Sequence, residues 1–336
     1  MSRDYLPVLR AVVIACQAQT IALTWPLWQV RASPPLLPLV GFVPQFGCGV
    51  LLLATLVVVF RFPRAGIAAH FTALAFAIAQ DETRLQPQVL SLPLLLVATL
   101  PGRGARFIGL AHLVALWLWS GLHKILSPEY LAHGGVLLTQ RFDSCPESLA
   151  RGLAILLAAI EIGIGVLACL KRTRPIARVV GAATHLAVVV WLSPFILDWN
   201  ESVLPWNVAL AYVAWVLLAP DVPRFSEQWR ASPGWARALV VVELIAPAGY
   251  EADLVPAPFA HALYCMSTPH ATWLHEDGAV THLRDLPELS VFLPGTYHAL
   301  AASFRAQAKP GDRLVIVEHR ALMRAMGRTE TLMMRE

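Results

Sequence analysis

Long apolar runs separated by short polar breaks fill the first two thirds of this chain. A helix needs about 20 apolar residues to cross the hydrocarbon core of a bilayer. Eight runs of that order precede Pro220: residues 11–30, 32–60, 65–80, 85–102, 107–122, 149–170, 176–197 and 203–219. The second is too long for one straight span, so its opening stretch, SPPLLPLVGFVP, is expected at the membrane interface. After Pro220 the pattern changes, and residues 221–336 are polar enough for water. There HEDG, set between ATWL and AVTHL, predicts a hairpin on an Asp-Gly turn. RLVIVEH, after Pro310-Gly311-Asp312, predicts a strand, and residues 296–308 predict a helix from apolar positions three and four apart. Residues 235–247, WARALVVVELIAP, are short for a span and read as a strand or an interfacial helix; if they crossed, the tail would face the other side. The predicted fold is an all-α integral membrane helical bundle of about eight transmembrane helices over residues 1–220, with a small soluble α+β domain over 221–336.

Composition supports lipid as the main solvent. The 336 residues are 57% hydrophobic and 14% charged, where a soluble domain carries about 25% charge. A larger core cannot hide that deficit, because surface area sets a minimum for polar residues. The net charge of +4 comes mainly from arginines in short loops, which suits a membrane protein and excludes a nucleic-acid binder. With eight spans, Arg3, Arg10, Arg61, Arg64, Arg103, Arg106, Lys171, Arg172, Arg174 and Arg178 fall on one side. Asp81, Glu82, Asp198 and Glu201 fall on the other. That asymmetry places both termini in the cytoplasm of what reads as a bacterial inner-membrane protein. MSRDYLPVLR and the run after it lack a clean signal-peptide cleavage site, so the first helix is expected to be retained. The five cysteines are scattered, without CxxC or metal-ligand spacing, and no structural disulfide is expected.

The informative residues are the polar ones inside apolar runs: His70, His112, Glu161 and His185. An ionisable side chain near the centre of a membrane helix costs about 2.5–3.5 kcal/mol on insertion scales. Each alone reads as a hydrogen-bonded packing residue; four together favour a shared polar cavity. His112 and His123 share a helix face but stand about 16 Å apart along the axis, so they line one channel without sharing a metal. No HExxH pair occurs, and no metal is expected. SGLHKILSP closes the fifth run with His123 beside Lys124, either a snorkelling lysine or a buried base. Beyond the third run, QDETRLQPQ sets Asp81 and Arg84 at i, i+3. Between the last two runs, SPFILDWNESVLPWN brings Asp198 and Asn200 to the membrane surface beside Trp199 and Trp206. In the tail, Cys265, with His261 and His270 nearby, reads as a turn with a chance cysteine rather than a nucleophile.

SGLHKILSPEYLAHGG and HFTALAFAIAQDETR together resemble the transmembrane (HTTM) module of the vitamin K-dependent γ-carboxylase family, and DoxX-like quinone-associated membrane proteins share the general pattern. The resemblance implies an apolar pocket for a quinone, quinol or other isoprenoid lipid, with Lys124 as the base and His70 and His123 beside it. Asp81, Arg84, His112, Glu161, His185, Asp198 and Asn200 would line that pocket. The family's large luminal domain has no counterpart in the short tail, which argues against glutamate carboxylation. Two readings follow. One is a quinol- or isoprenoid-linked membrane enzyme. The alternative is a non-catalytic scaffold or accessory subunit whose C-terminal domain binds a protein partner. Membrane lipid is a partner in both.

Overall fold

The computed structural model describes residues 5–282 and 301–333, apart from 32–35, 41–42, 140, 143–144, 199, 253, 263, 266–269, 302–303, 306–307 and 319–327. All eight apolar runs contain helices: α1 (Tyr5–Leu23), α2 (Gly49–Arg61), α3 (Pro63–Gln80), α4 (Pro87–Ala98), α5 (Arg103–Leu126), α7 (Glu147–Cys169), α8 (Arg174–Leu192) and α9 (Leu204–Leu217). Four of these, α1, α5, α7 and α8, are long and apolar enough to cross a membrane, and α2, α4 and the 201–217 stretch are shorter apolar helices. The outward faces of α7 and α8 expose Leu149, Leu156, Ile176, Val179, Leu186 and Val190, a surface that lipid covers at no cost. The chain is an integral membrane protein, mostly helical.

Prolines and glycines set the breaks. Pro63, Pro87 and Pro205 open α3, α4 and α9 near their first position, where a missing N–H costs nothing. A single residue, Phe62, separates α2 from α3, and the two fold back as a tight hairpin. A Cβ on Gly66 would run into the backbone nitrogen of Val59, so the arms touch only because that position has no side chain. Gly121 does the same between α5 and α7, where a Cβ would meet Ala158 O at 2.6 Å. The expected interfacial stretch before α2 forms no helix among its described residues.

Two helices were not expected, α6 (Pro128–Thr139), which packs on α7, and α10 (Phe225–Ala231), which packs on α5; α11 (Gly234–Ile245), also packed on α5, takes the helical of the two readings given for 235–247. Phe225 and Trp229 of α10 meet Phe107 edge-on. The ambiguous run at 235–247 is therefore mostly the helix α11, and the polarity change at Pro220 does not mark departure from the bundle. α5 consequently lies at the centre, buried along most of its length by α4, α7, α9, α10 and α11.

The tail ends in a four-stranded antiparallel sheet of order β2-β1-β3-β4: β1 (His270–Leu274), β2 (Val280–His282), β3 (Arg313–Glu318) and β4 (Arg328–Met333). The β1–β2 hairpin turns at His275–Gly278, with Gly278 at φ 85°, as the Asp-Gly signal predicts. β3 is the predicted strand. The helix expected over 296–308 lies largely outside the described residues. Asp312 ties the hairpin to β3, accepting from Lys309 N, Glu276 N and Trp273 Nε1. Those donors, the Lys309 amide foremost, hold its carboxyl below the usual range.

Candidate functional site

α5 carries ionisable residues toward two different neighbours. Lys124 turns inward and is buried, with its Nζ 2.7 Å from Ser120 Oγ one turn back and 2.9 and 2.6 Å from Glu161 Oε1 and Oε2 on α7. An ammonium has three donors, and three oxygens take them. Lys124 is therefore not a snorkelling anchor. The pair borders a cavity of about 360 Å³ whose lining includes Tyr130, Leu157, Ile160, Trp191 and Tyr264. Tyr264 also receives a hydrogen bond from Asn200 Nδ2 at 3.0 Å, which links the loop before α9 to this cavity. Asp198, two residues earlier, is exposed.

The histidine face of α5 meets chain that comes after α9. A Cβ on Gly104 would lie 3.0 Å from Pro233 Cδ and 3.1 Å from Ala236 Cβ, so α11 begins beside the start of α5. From there the chain runs along α5 in the same direction. Glu243 Oε2 sits 2.9 Å from His112 Nδ1, Leu244 O accepts from Trp119 Nε1 at 2.9 Å, and Glu251 Oε1 sits 2.8 Å from His123 Nδ1. His123 Nε2 donates to Ala260 O at 3.1 Å. Because that carbonyl can only accept, Nε2 is the donor of this hydrogen bond.

His112 sits in a longer relay. Trp206 Nε1 donates to Ser91 Oγ at 2.9 Å, and Ser91 Oγ lies 2.6 Å from His112 Nε2. Beyond Glu243, His261 Nε2 approaches Glu243 Oε2 at 3.8 Å, and the two imidazoles meet edge to face with centroids 5.3 Å apart. His261 holds φ 56°, a left-handed conformation that histidine enters more readily than most residues. A cavity of about 310 Å³ adjoins the group, lined otherwise by Leu90, Leu94, Val242, Val255 and Phe259 among others.

The remaining expected residues lie apart from both groups. His70 bridges α1, α2 and α3: Thr55 spends its own proton on Leu52 O and accepts from His70 Nδ1 at 2.8 Å, while Gln17 Nε2 contacts His70 Nε2 at 3.4 Å. It shares no partner with Lys124. His185 accepts from Trp117 Nε1 at 2.9 Å and donates from Nδ1 to Asn207 Oδ1 at 2.8 Å, so both ring nitrogens serve packing between α5, α8 and α9. Arg84 is fully buried and caps chain ends. Its donors go to Leu27 O, Ala77 O, Gln29 O and Gln80 Oε1. Asp81 pairs with Arg31 at 2.6 Å and accepts from the Thr83 and Leu37 amides. These two form a structural knot at the end of α3, away from the cavity beside Lys124. Glu243 and Glu251 are candidate site residues that the sequence reading missed, and His261, weighed there only beside Cys265, joins them.

The stretch that holds Lys124 and Glu161 is also the one with a recognisable relative. Residues 105–203 match the family model of the methylamine utilisation protein MauE. That segment runs from the start of α5 through α8 to the turn before α9. The match overturns the resemblance to the γ-carboxylase module and to DoxX-like proteins, which rested on two short motifs; the expectation of a quinone or quinol loses its basis with it. Within the MauE-matching segment lie His112, His123, Lys124, Glu161 and His185; Glu243, Glu251 and His261 lie outside it. No curated protein and no solved structure matches the chain.

Proposed function

We propose that this protein is a membrane-embedded accessory component in methylamine utilisation rather than a membrane enzyme. The observation that carries the proposal is the saturation of Lys124. Every donor on its ammonium is taken by Ser120 and Glu161, an arrangement that joins α5 to α7 and leaves no lone pair to act as a base. The match of α5 through α8 to MauE supplies the physiological setting.

The course of the chain bears on its topology. Tyr5 accepts from Arg106 at the start of α5, whereas Tyr264 lines the cavity at its far end. Residues 234–260 thus follow α5 across the bundle. The C-terminal sheet then faces the compartment opposite the N-terminus, in place of the shared cytoplasmic location expected from eight spans. It offers a water-facing surface to a protein partner there.

Deleting the gene and growing the source organism on methylamine tests the role. Growth is expected to fail and to return both with the wild-type gene and with the double variant Lys124→Met/Glu161→Leu, which exchanges the ion pair for apolar side chains of similar size. Normal growth of the deletion strain overturns the proposal. Failure of a well-expressed double variant to restore growth favours a chemical role for Lys124. Reporter fusions near residue 5 and after residue 336 are expected to give opposite compartment signals.

A further inference from the structure

The geometry points to a metal site: His112 Nδ1, Glu243 Oε2 and His261 Nε2 bind one divalent transition-metal cation of the zinc class. One ligand atom from each residue lies within 4.8 Å of the other two. The closest pair is at 2.9 Å and the next at 3.8 Å. Three ligands placed about 2.0–2.2 Å from a tetrahedral zinc stand roughly 3.3–3.6 Å from one another, so changes in separation of up to about 1.5 Å, shared between side chains, bring these atoms into coordination. Two imidazoles and a carboxylate suit zinc, iron(II) and cobalt(II) and exclude the oxygen-only preferences of magnesium and calcium.

Three further features fit an ion. Among the described residues, the ion-pair partners of Glu243 are these two imidazoles, with no lysine or arginine. A largely buried carboxylate on α11, facing the middle of α5, is costly unless a positive charge accompanies it, and a divalent cation supplies one. Ser91 Oγ stands 2.6 Å from His112 Nε2, the nitrogen left over when Nδ1 is a ligand, and it fixes the ring as outer partners of metal-bound histidines do. Finally, three protein ligands leave a fourth position open, and the adjoining cavity of about 310 Å³ has room there for water or a small ligand. The site assembles only when α11 and the segment around residue 261 close on α5, so an ion would also fasten that return segment to the bundle.

The test uses tag-free full-length protein in detergent, stripped with chelator and titrated with Co²⁺, then Zn²⁺. One equivalent of Co²⁺ is expected, with the visible absorption of a four- or five-coordinate ion, displaced by Zn²⁺. Glu243→Gln and His261→Gln are each expected to weaken binding by at least about tenfold, and Ser91→Ala by about tenfold. Lys124→Met/Glu161→Leu should leave it unchanged. X-ray absorption on the zinc-loaded wild type needs no variant, and is expected to show two imidazoles with oxygen completing the shell. Absence of stoichiometric binding overturns the proposal; a thiolate or all-oxygen shell, or full affinity in well-folded Glu243→Gln and His261→Gln, does so too. In those cases the three residues form a hydrogen-bonded core and nothing more.

Discussion

Lys124–Glu161 and His112–Glu243–His261 are both groups anchored by a buried residue of α5, yet they are assembled from different distances along the chain. The lysine closes on α7, inside the segment that matches MauE. The histidine closes on residues that arrive after α9 and return alongside α5. The first is a property of α5 to α8 taken alone. The second exists only because the return segment docks. The contrast separates what the matched segment contributes from what this chain adds to it.

The largest effect that would sharpen the contrast is on the lysine pair. Lys124→Met leaves Glu161 buried without its counter-charge and is expected to cost about 3–5 kcal/mol, read as a drop in thermal midpoint in detergent. The double variant Lys124→Met/Glu161→Leu should return to within about 1 kcal/mol of wild type. A single variant as stable as the double would remove the distinction. Next comes Gly121→Val, which places a branched side chain against Ala158 O and Ile162 and forces α5 from α7. A loss of up to about 3 kcal/mol is expected, with α11 still docked.

Glu243→Leu should cost about 1–3 kcal/mol, and locally. Hydrogen exchange and protease cleavage are expected to rise over residues 234–260 while α7 and α8 keep their protection. Equal loosening of α7 would show that the two groups are one cooperative unit. Asn207→Leu, which strips His185 of its acceptor, is expected to cost about 0.6 kcal/mol, the usual size of a hydrogen bond between membrane helices. The smallest change concerns the sheet. Because the Asp312 carboxyl is lowered in the fold, its support is complete above its ordinary value of 3.8 and fades as pH falls through the lowered one. Exchange at β1 and β3 should quicken there, before that of α5.

The membrane helices were legible because twenty-residue apolar runs have few other solutions. The inward turn of Lys124 was one of two readings the sequence left open, and its pairing with Glu161 and Ser120 emerged only from the packing of α5 on α7. His70, Arg84 and His185 show the same limit. Each marks a buried polar contact, but residue type does not say which helices meet there. Glu243 carried the same signal as Glu161, a lone acid within VVVELI. It went unread because α11 is too short to look like a span and polarity rises just before it. Glu251 had no local signal, and His261 was weighed only as a neighbour of Cys265; the return of the chain alongside α5 gives both their partners.

α11 stops at Ile245, well short of the depth that α5 spans, and 3₁₀ turns and irregular chain complete the journey. Backbone of that kind has carbonyls that a continuous helix would have satisfied itself. Leu244 O and Ala260 O find Trp119 and His123 instead. Two side chains of the central helix thus stand in for the missing turns, and the ring of His123 does for this interrupted segment what water does for a loop in solution. Were the return segment rewritten as one unbroken helix, His123 would lose its reason to be there.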